Sequence, residues 1–408
     1  MTTRIEATRL IPGRGEVVDN GVVIFADSAI SYAGTAGAAP ETPDAEVVAT
    51  DTVMPGMWEC HGHFIGIYTA NIDEVWTTRP QLAAMRVTAD AHRALHAGFT
   101  SVRELGGLGS FLSFAVEEGQ VEGPNVYASG SMLSMTGGHG DAHSMDLADA
   151  RRAVTRAWGE DNIVDGPDEA RAGVRRMLRL GARVIKIHAS GGVLSQLDDP
   201  HLPQFSKEEL EAIVDEAARM ERIVAAHTHG KRGMMAAVEA GIKTLEHGTY
   251  IDEEVADAMI ENDVMLVPTR WIIEFLMAEG EKRGMPEYAK EKAAAAAGQH
   301  AEGIALAVDK GVKMALGTDI FGVGLWGRNG EELALMVDCG MTPLQAIEMA
   351  TANGPDTLGP QAPNTGQLVA GMDADVICVS GDPSADISLL GTPDNVTHVF
   401  KGGIRYKG

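Results

Sequence analysis

The stretch Pro55-Gly-Met-Trp-Glu-Cys-His-Gly-His-Phe64 decides how the rest of the chain is read. His61 and His63 stand two residues apart at the end of an apolar run. On an extended strand both imidazoles project from one face, with Cys60 on the other. That is metal-ligand spacing, although a single His-x-His more often belongs to an ordinary core or surface. Four further stretches change the balance: Val184-Ile-Lys-Ile-His188, Val224-Ala-Ala-His-Thr-His-Gly230, Thr244-Leu-Glu-His-Gly248 and Ala315-Leu-Gly-Thr-Asp319. Each is a short β-prone run that ends in a residue able to bind or bridge a metal, and together they point to an enzyme built on a metal centre.

Outward from these runs the centre of the chain repeats one unit. Helical patterns over Gln81 to Ala97, Pro167 to Leu180, Ser206 to Met220, Lys231 to Ala240, Glu253 to Asn262 and Glu291 to Lys310 each precede a short apolar run. A last helix, Thr342 to Ala352, closes the series. Adding the run into His61 and Asn125-Val-Tyr-Ala makes eight expected strands, which predicts a TIM (β/α)8 barrel over residues 55–355. All candidate ligands then fall at the carboxyl ends of strands, where barrel enzymes carry their chemistry. A doubly wound sheet also alternates strand and helix, but it binds at a single switch point and would not draw residues from five strands. Residues 1–54 and 356–408 are β-prone pieces separated by turns, so the two ends are expected to build one small β-sandwich domain.

Composition narrows the partners. Lys+Arg 33 against Asp+Glu 58 gives a net charge of −25. Acidic residues spread along the helices repel phosphate backbones and anionic lipid heads, which excludes nucleic acid and membrane partners and leaves a small-molecule substrate. The three cysteines, Cys60, Cys339 and Cys378, have no CxxC spacing and are odd in number, so neither a disulfide framework nor a zinc ribbon is expected. With no apolar leader at the amino terminus, the expectation is a cytoplasmic protein. Apolar residues at Trp271, Ile272, Ile273, Phe275 and Leu276 suggest either self-association as a homo-oligomer or a cover for the active site.

The donors define the chemistry. His61, His63 and Asp319 can share one divalent ion while His227 and His247 hold a second, zinc first, with manganese, cobalt or iron suiting the same donors. Spacing alone leaves His227 and His229 both open as ligands; His227 is favoured because His229 falls further into the loop. A lysine beside two cations cannot remain an ammonium. Lys186 is therefore expected either to lose its proton or to take up carbon dioxide as a carbamate that bridges both ions. Two such ions lower the pKa of a shared water and polarise a carbonyl, and Asp319 can carry the proton from water to a leaving amine. The expected reaction is hydrolysis.

The stretches Ile185-Lys-Ile-His-Ala-Ser-Gly-Gly-Val, Gln204-Phe-Ser, Val224-Ala-Ala-His-Thr-His-Gly, Leu245-Glu-His-Gly and Ala315-Leu-Gly-Thr-Asp resemble the amidohydrolase superfamily, in particular its imidazolonepropionase-related and Xaa-Pro or Xaa-Arg dipeptidase branch. Gly359-Pro-Gln-Ala-Pro-Asn-Thr-Gly-Gln-Leu and Val396-Thr-His-Val-Phe-Lys-Gly-Gly resemble the carboxyl ends of mycotoxin-degrading amidases there, so the likeness spans the chain. It implies N6-carboxylysine at Lys186, and a substrate loop at Thr136-Gly-Gly-His-Gly-Asp-Ala-His143 whose His139 polarises the scissile carbonyl. It also implies hydrolysis of an N-acyl amino acid or dipeptide; ureas, carbamates, anilides and cyclic amides are the alternative, since the same chemistry attacks any such carbonyl. Three departures stand out: His188 where many relatives carry Met, Glu59 where Asp is usual, and the loop after the eighth strand, Ile320-Phe-Gly-Val-Gly-Leu-Trp-Gly-Arg-Asn. His139, His229, Tyr250 and Arg270 follow strand ends on one face and are the expected substrate contacts.

Overall fold

The computed structural model describes residues 2–408. Four strands from the amino end, β1 (Thr2–Leu10), β2 (Val18–Ala26), β3 (Ala29–Thr35) and β4 (Glu46–Pro55), precede the first strand of the centre, β5 (Met57–Ile67). The central strands continue as β6 (Phe99–Glu104), β7 (Asn125–Ala128), β8 (Ile185–His188), β9 (Val224–Thr228), β10 (Thr244–His247), β11 (Met265–Val267) and β12 (Ile320–Gly322). The carboxyl end adds β13 (Val376–Val379), β14 (Val396–Lys401) and β15 (Ile404–Lys407).

Both ends meet in one sheet of seven strands, ordered β15-β14-β13-β4-β1-β2-β3. This differs from the two stacked sheets of the expected sandwich. A flat sheet would hold β2 and β14, four strand spacings apart, about 19 Å from each other. Yet the Phe25 and Phe400 rings meet edge to face at 5.2 Å, so the sheet curls over its own apolar face. The face encloses Ile5, Leu10, Val23, Val53, Val376 and Cys378. Gly56 passes the chain from this sheet into β5, where any Cβ would lie 2.2 Å from Thr100 Oγ1.

The central strands form two parallel four-stranded sheets, β12-β5-β6-β7 and β11-β10-β9-β8. Backbone hydrogen bonds cross both seams. At one, Arg183 N donates to Ala128 O (2.8 Å) and Leu133 N to Lys186 O (2.9 Å). At the other, Ala315 N donates to Leu266 O (3.0 Å) and Cys60 N to Leu316 O (2.7 Å). The run Lys313-Met-Ala-Leu-Gly-Thr, expected as a full strand, makes these bonds and a single bridge to Leu266 without a longer ladder.

The helices follow the sequence pattern, within a few residues at each end. The helix Lys207–Ala218 begins at a capping box in which Ser206 Oγ accepts from Glu209 N and the Glu209 side chain from Ser206 N. The helix Glu287–Lys310 ends on Gly311 in the left-handed conformation, φ 80°. Helices Gly109–Glu117, Leu147–Trp158, Arg270–Glu279 and Glu331–Asp338 were not anticipated. Among the described residues no helix is long and apolar enough to cross a membrane.

Candidate metal centre

β5 is buried along its whole length, and its alternation is broken where the candidate ligands begin. Glu59 pairs with Val102 and Gly62 with Glu104, so three steps on β5 match two on β6 and one residue bulges. The bulge undoes the simple two-face reading. Glu59 points to Thr318 and Asn329, accepting from Thr318 Oγ1 and Asn329 Nδ2 at 2.7 Å each. Cys60 instead joins Trp58, Val184, Ala225 and Ala315 in an inner cluster. Burial pushes the Glu59 carboxyl up to about 7 against those hydrogen bonds.

Beyond the bulge, His61 and His63 converge with residues from the other strand ends. His63 Nε2 lies 3.0 Å from Asp319 Oδ1, and His61 Nε2 lies 3.6 Å from the same oxygen. Lys186 Nζ is 3.5 Å from His61 Nε2. Across the site, His227 Nδ1 faces His247 Nε2 at 2.8 Å. His229 stands with these two, each of the three offering a nitrogen within 4.8 Å of the others, so the geometry, like the spacing, keeps His229 beside His227 as a possible ligand.

The donor set fits metal ions. Glu246 is a carboxylate and Gly106 O a carbonyl, so the His61 and His63 Nδ1 atoms facing them at 2.8 Å carry the protons. That turns the Nε2 atoms toward Asp319 and Lys186, the arrangement that outer hydrogen bonds impose on metal-binding imidazoles. At His63 burial alone would lower the ring's pKa, but the hydrogen bond and charge of Asp319 raise it above the usual range, so its Nε2 shares a proton with Asp319 that a metal ion would displace. His229 Nδ1 and His247 Nδ1 are held in the same way by Thr249 and Thr269 hydroxyls, at 2.7 Å each. Burial first, and neighbouring positive charge second, hold His61, His227, His229 and His247 well below the usual imidazole range, so these rings are neutral near pH 7. Burial also brings Lys186 down to about 8. Among the described residues its Nζ has the His61 ring as hydrogen-bond partner and no carboxylate within 4.0 Å.

Several residues that build this site carried no signal of their own. Arg103, fully buried, grips Glu246 with Nη2 at 2.9 Å from both carboxylate oxygens, and its Nε donates to Cys60 O at 2.6 Å. It thereby holds the carboxylate that orients His61. Glu246 lies within the quoted Leu245-Glu-His-Gly, next to a ligand, which was the one hint available. His247, Thr269 and Asp319 adopt left-handed backbone, φ 71°, 52° and 59°, where non-glycine residues are strained by roughly 1–3 kcal/mol each.

The site opens into a cavity. His61, His63, Lys186, His227, His229, His247 and Asp319 form its floor, His139 and His188 one side, and Ile65, Trp76, Trp158, Leu194 and Phe321 an apolar wall. His139 stacks on His227 with centroids 4.3 Å apart. Ile272, Ile273 and Leu276 roof the cavity; together with Trp271 and Phe275 they are buried within the chain, which removes the apolar surface from which self-association was expected. Tyr250 and Arg270 do not line it. The Tyr250 ring packs on His201 at 4.2 Å in a separate depression, while Arg270 begins a helix and turns its guanidinium to Glu274. Following a strand end put both on the correct side of the molecule but did not fix where their side chains turn.

The sequence pattern of the amidohydrolase family matches residues 52–405. Ochratoxinase of Aspergillus niger is 42% identical over 421 aligned positions, covering 100% of this chain and 87% of that protein. Its crystal structure superposes with a TM-score of 0.92, covering 100% of this chain and 96% of the other. A Xaa-Pro dipeptidase with methionine bound in its active site is 33% identical, with a TM-score of 0.89 and 100% of both chains covered. A prolidase complexed with N-methylphosphonate-L-proline is 31% identical, with a TM-score of 0.91 and 100% of both chains covered.

Proposed function

The chain belongs to the amidohydrolase family and is a hydrolase acting on C–N bonds, and from that premise we propose that it cleaves the amide bond of an N-acyl amino acid or dipeptide-like molecule with two divalent ions. His61, His63 and Asp319 would hold one ion and His227 and His247 the other, zinc being the best match to imidazole and carboxylate, with manganese, cobalt or iron also suited. When bound, such a pair acidifies a shared water and polarises the substrate carbonyl. The two parallel sheets, bonded across both seams, are read as one (β/α)8 barrel over 55–355, with 1–54 and 356–408 as its β-rich companion.

The observation that carries the reading is Lys186, 1% exposed, with an imidazole and no acid beside its amine. Burial brings the Lys186 amine down to about 8, so a fraction of it is neutral near pH 7 and nucleophilic: its lone pair would add to carbon dioxide, a proton would leave, and the product would be an anionic N6-carboxylysine whose charge offsets that of two cations. Asp319, partly open to the cavity, takes the proton from the attacking water and gives it to the leaving nitrogen as the C–N bond breaks. When its ring carries a proton on each nitrogen, His139 keeps Nδ1–H on Ser195 and donates from Nε2 to the carbonyl oxygen, where negative charge develops. The apolar wall receives the acyl group, and ochratoxin-like amides belong among the substrates to try.

A second reading has its own support. Neither Arg270 nor Tyr250 lines the cavity, so neither is placed to hold a substrate carboxylate; neutral ureas, carbamates or anilides would need no such partner. The test is a panel of N-acyl amino acids, dipeptides, phenylureas, carbamates and anilides, assayed before and after chelation and after metal is restored. Cleavage of N-acyl amino acids that chelation abolishes and metal restores is expected, with Asp319→Asn lowering kcat about 10³-fold. Faster cleavage of the neutral compounds would move the second reading to first place; activity untouched by a chelator that strips the metal would end both.

A further inference from the structure

His139 is surrounded by a network that joins the floor of the cavity to its roof. Its Nδ1 lies 2.6 Å from Ser195 Oγ and 3.5 Å from Asp198 Oδ2, and Ser195 Oγ also donates to Asp198. Its backbone N donates to Gln204 Oε1 at 3.0 Å, and Gln204 Nε2 to Asp198 at 3.3 Å. The loop fits closely: a Cβ on Gly192 would come within 2.1 Å of the His139 ring.

One cation from a distant helix holds this loop. Lys292, on Glu287–Lys310, directs its ammonium at the carbonyls of Gly192 (3.0 Å), Ser195 (2.8 Å) and Asp198 (2.6 Å), and at Asp198 Oδ1 (3.3 Å). Three N–H donors meet three carbonyls, which fills the donor capacity of an ammonium. Without the charge, three carbonyl dipoles and a nearly buried carboxylate would point at one another, and the loop would open. The same helix supplies Tyr288, which donates to Leu194 O at 3.2 Å and lines the cavity.

We infer that Lys292 is a positioning residue: by clamping the loop Gly191–Asp198 it fixes Ser195 and Asp198, and through them the direction in which His139 faces the scissile carbonyl. The inference rests on the role given to His139 above. It makes the roof helix and the carbonyl-polarising group one mechanical unit.

The experiment is a double-mutant cycle in the metal-replete enzyme, on the best-cleaved member of the substrate panel. Lys292→Met should lower kcat about 10- to 100-fold with little change in KM, as expected for loss of aim and not of binding. Lys292→Arg should recover most of that loss. In a His139→Ala background the Lys292→Met change should cost less than about 2-fold, because the contact it positions is already gone. Amide exchange of the Gly192 N–H, bonded to Asp198, should accelerate in Lys292→Met, with metal content and Tm of the rest of the chain held. Additive losses in the cycle, or an undiminished kcat in a Lys292→Met protein whose loop exchanges freely, would overturn the inference. A fully active His139→Ala enzyme would instead remove the role of His139, and the inference would fall with it for that separate reason.

Discussion

Inside the curled terminal sheet lie Ile5, Val23, Phe25, Val53, Val376 and Phe400; at the carboxyl ends of the central strands lie Arg103, Glu246, Lys186, His61, His227 and His247, equally shielded from water. The first interior gains free energy from nearly every residue it buries, at roughly 25 cal/mol per Å² of apolar surface. The second desolvates charge and keeps left-handed backbone at three of its residues. A chain can hold such a costly arrangement only if other regions are stable by a margin. The terminal sheet, which chemistry does not use, is one place where that margin is found.

The comparison breaks most visibly at Glu246. Its carboxylate holds both Arg103 and His61, so Glu246→Gln leaves a buried guanidinium poorly paired and frees the ring of a proposed ligand. Breaking a buried pair costs about 3–5 kcal/mol, and denaturant titration should show it together with lost metal and lost activity. Phe400→Ala is the counterpart in the terminal sheet. A cavity beside Phe25 should lower stability by about 3–5 kcal/mol while kcat, measured well below the new Tm, stays at its original value. A fall in kcat at full folding would show that the sheet does contribute to the site.

A smaller effect distinguishes the regions by pH. Asp375, just before β13, is buried, and burial raises its carboxyl from 3.8 to about 6 despite the Gly402 N–H it accepts at 2.7 Å. Between those values the folded state binds the extra proton, so its contribution to stability is complete below pH 3.8 and is lost as pH rises through 6. A shift of about two units corresponds to at most about 3 kcal/mol. Asp375→Asn should therefore stabilise the protein by about 1–3 kcal/mol at pH 7 and by little at pH 4, the difference between variant and parent in urea being the measurement. The smallest effect is expected at Tyr250, whose ring packs on His201 outside the cavity: Tyr250→Phe should keep kcat/KM within about 2-fold.

How much was legible differs between the two interiors for a physical reason. Helix periods, the strand ends and the ligand types were open to reading because each is set by a few neighbouring residues: His61 and His63 by their spacing, Lys186 and Asp319 by their place after β-prone runs. Family resemblance, carried by the same runs, agreed with them. The partners of those candidate ligands were not legible. Arg103 reaches Glu246 and Lys292 reaches Asp198 across 143 and 94 residues, and nothing local to an arginine or a lysine tells which carboxylate it will meet.

By itself, then, the sequence determined most of the order of strands and helices, though not four of the helices, and the set of side chains that could ligate metal, since both are local properties of period and residue type. The tertiary structure alone decided that β5 bulges after Glu59, that Cys60 packs inward with Trp58, that the end strands curl into one sheet, that His229 stands beside His227, and that Tyr250 and Arg270 turn away from the cavity. Those outcomes depend on which distant surfaces meet. A side chain at a strand end can turn toward the cavity or away from it at similar local energy, and packing against neighbours far along the chain selects between the two.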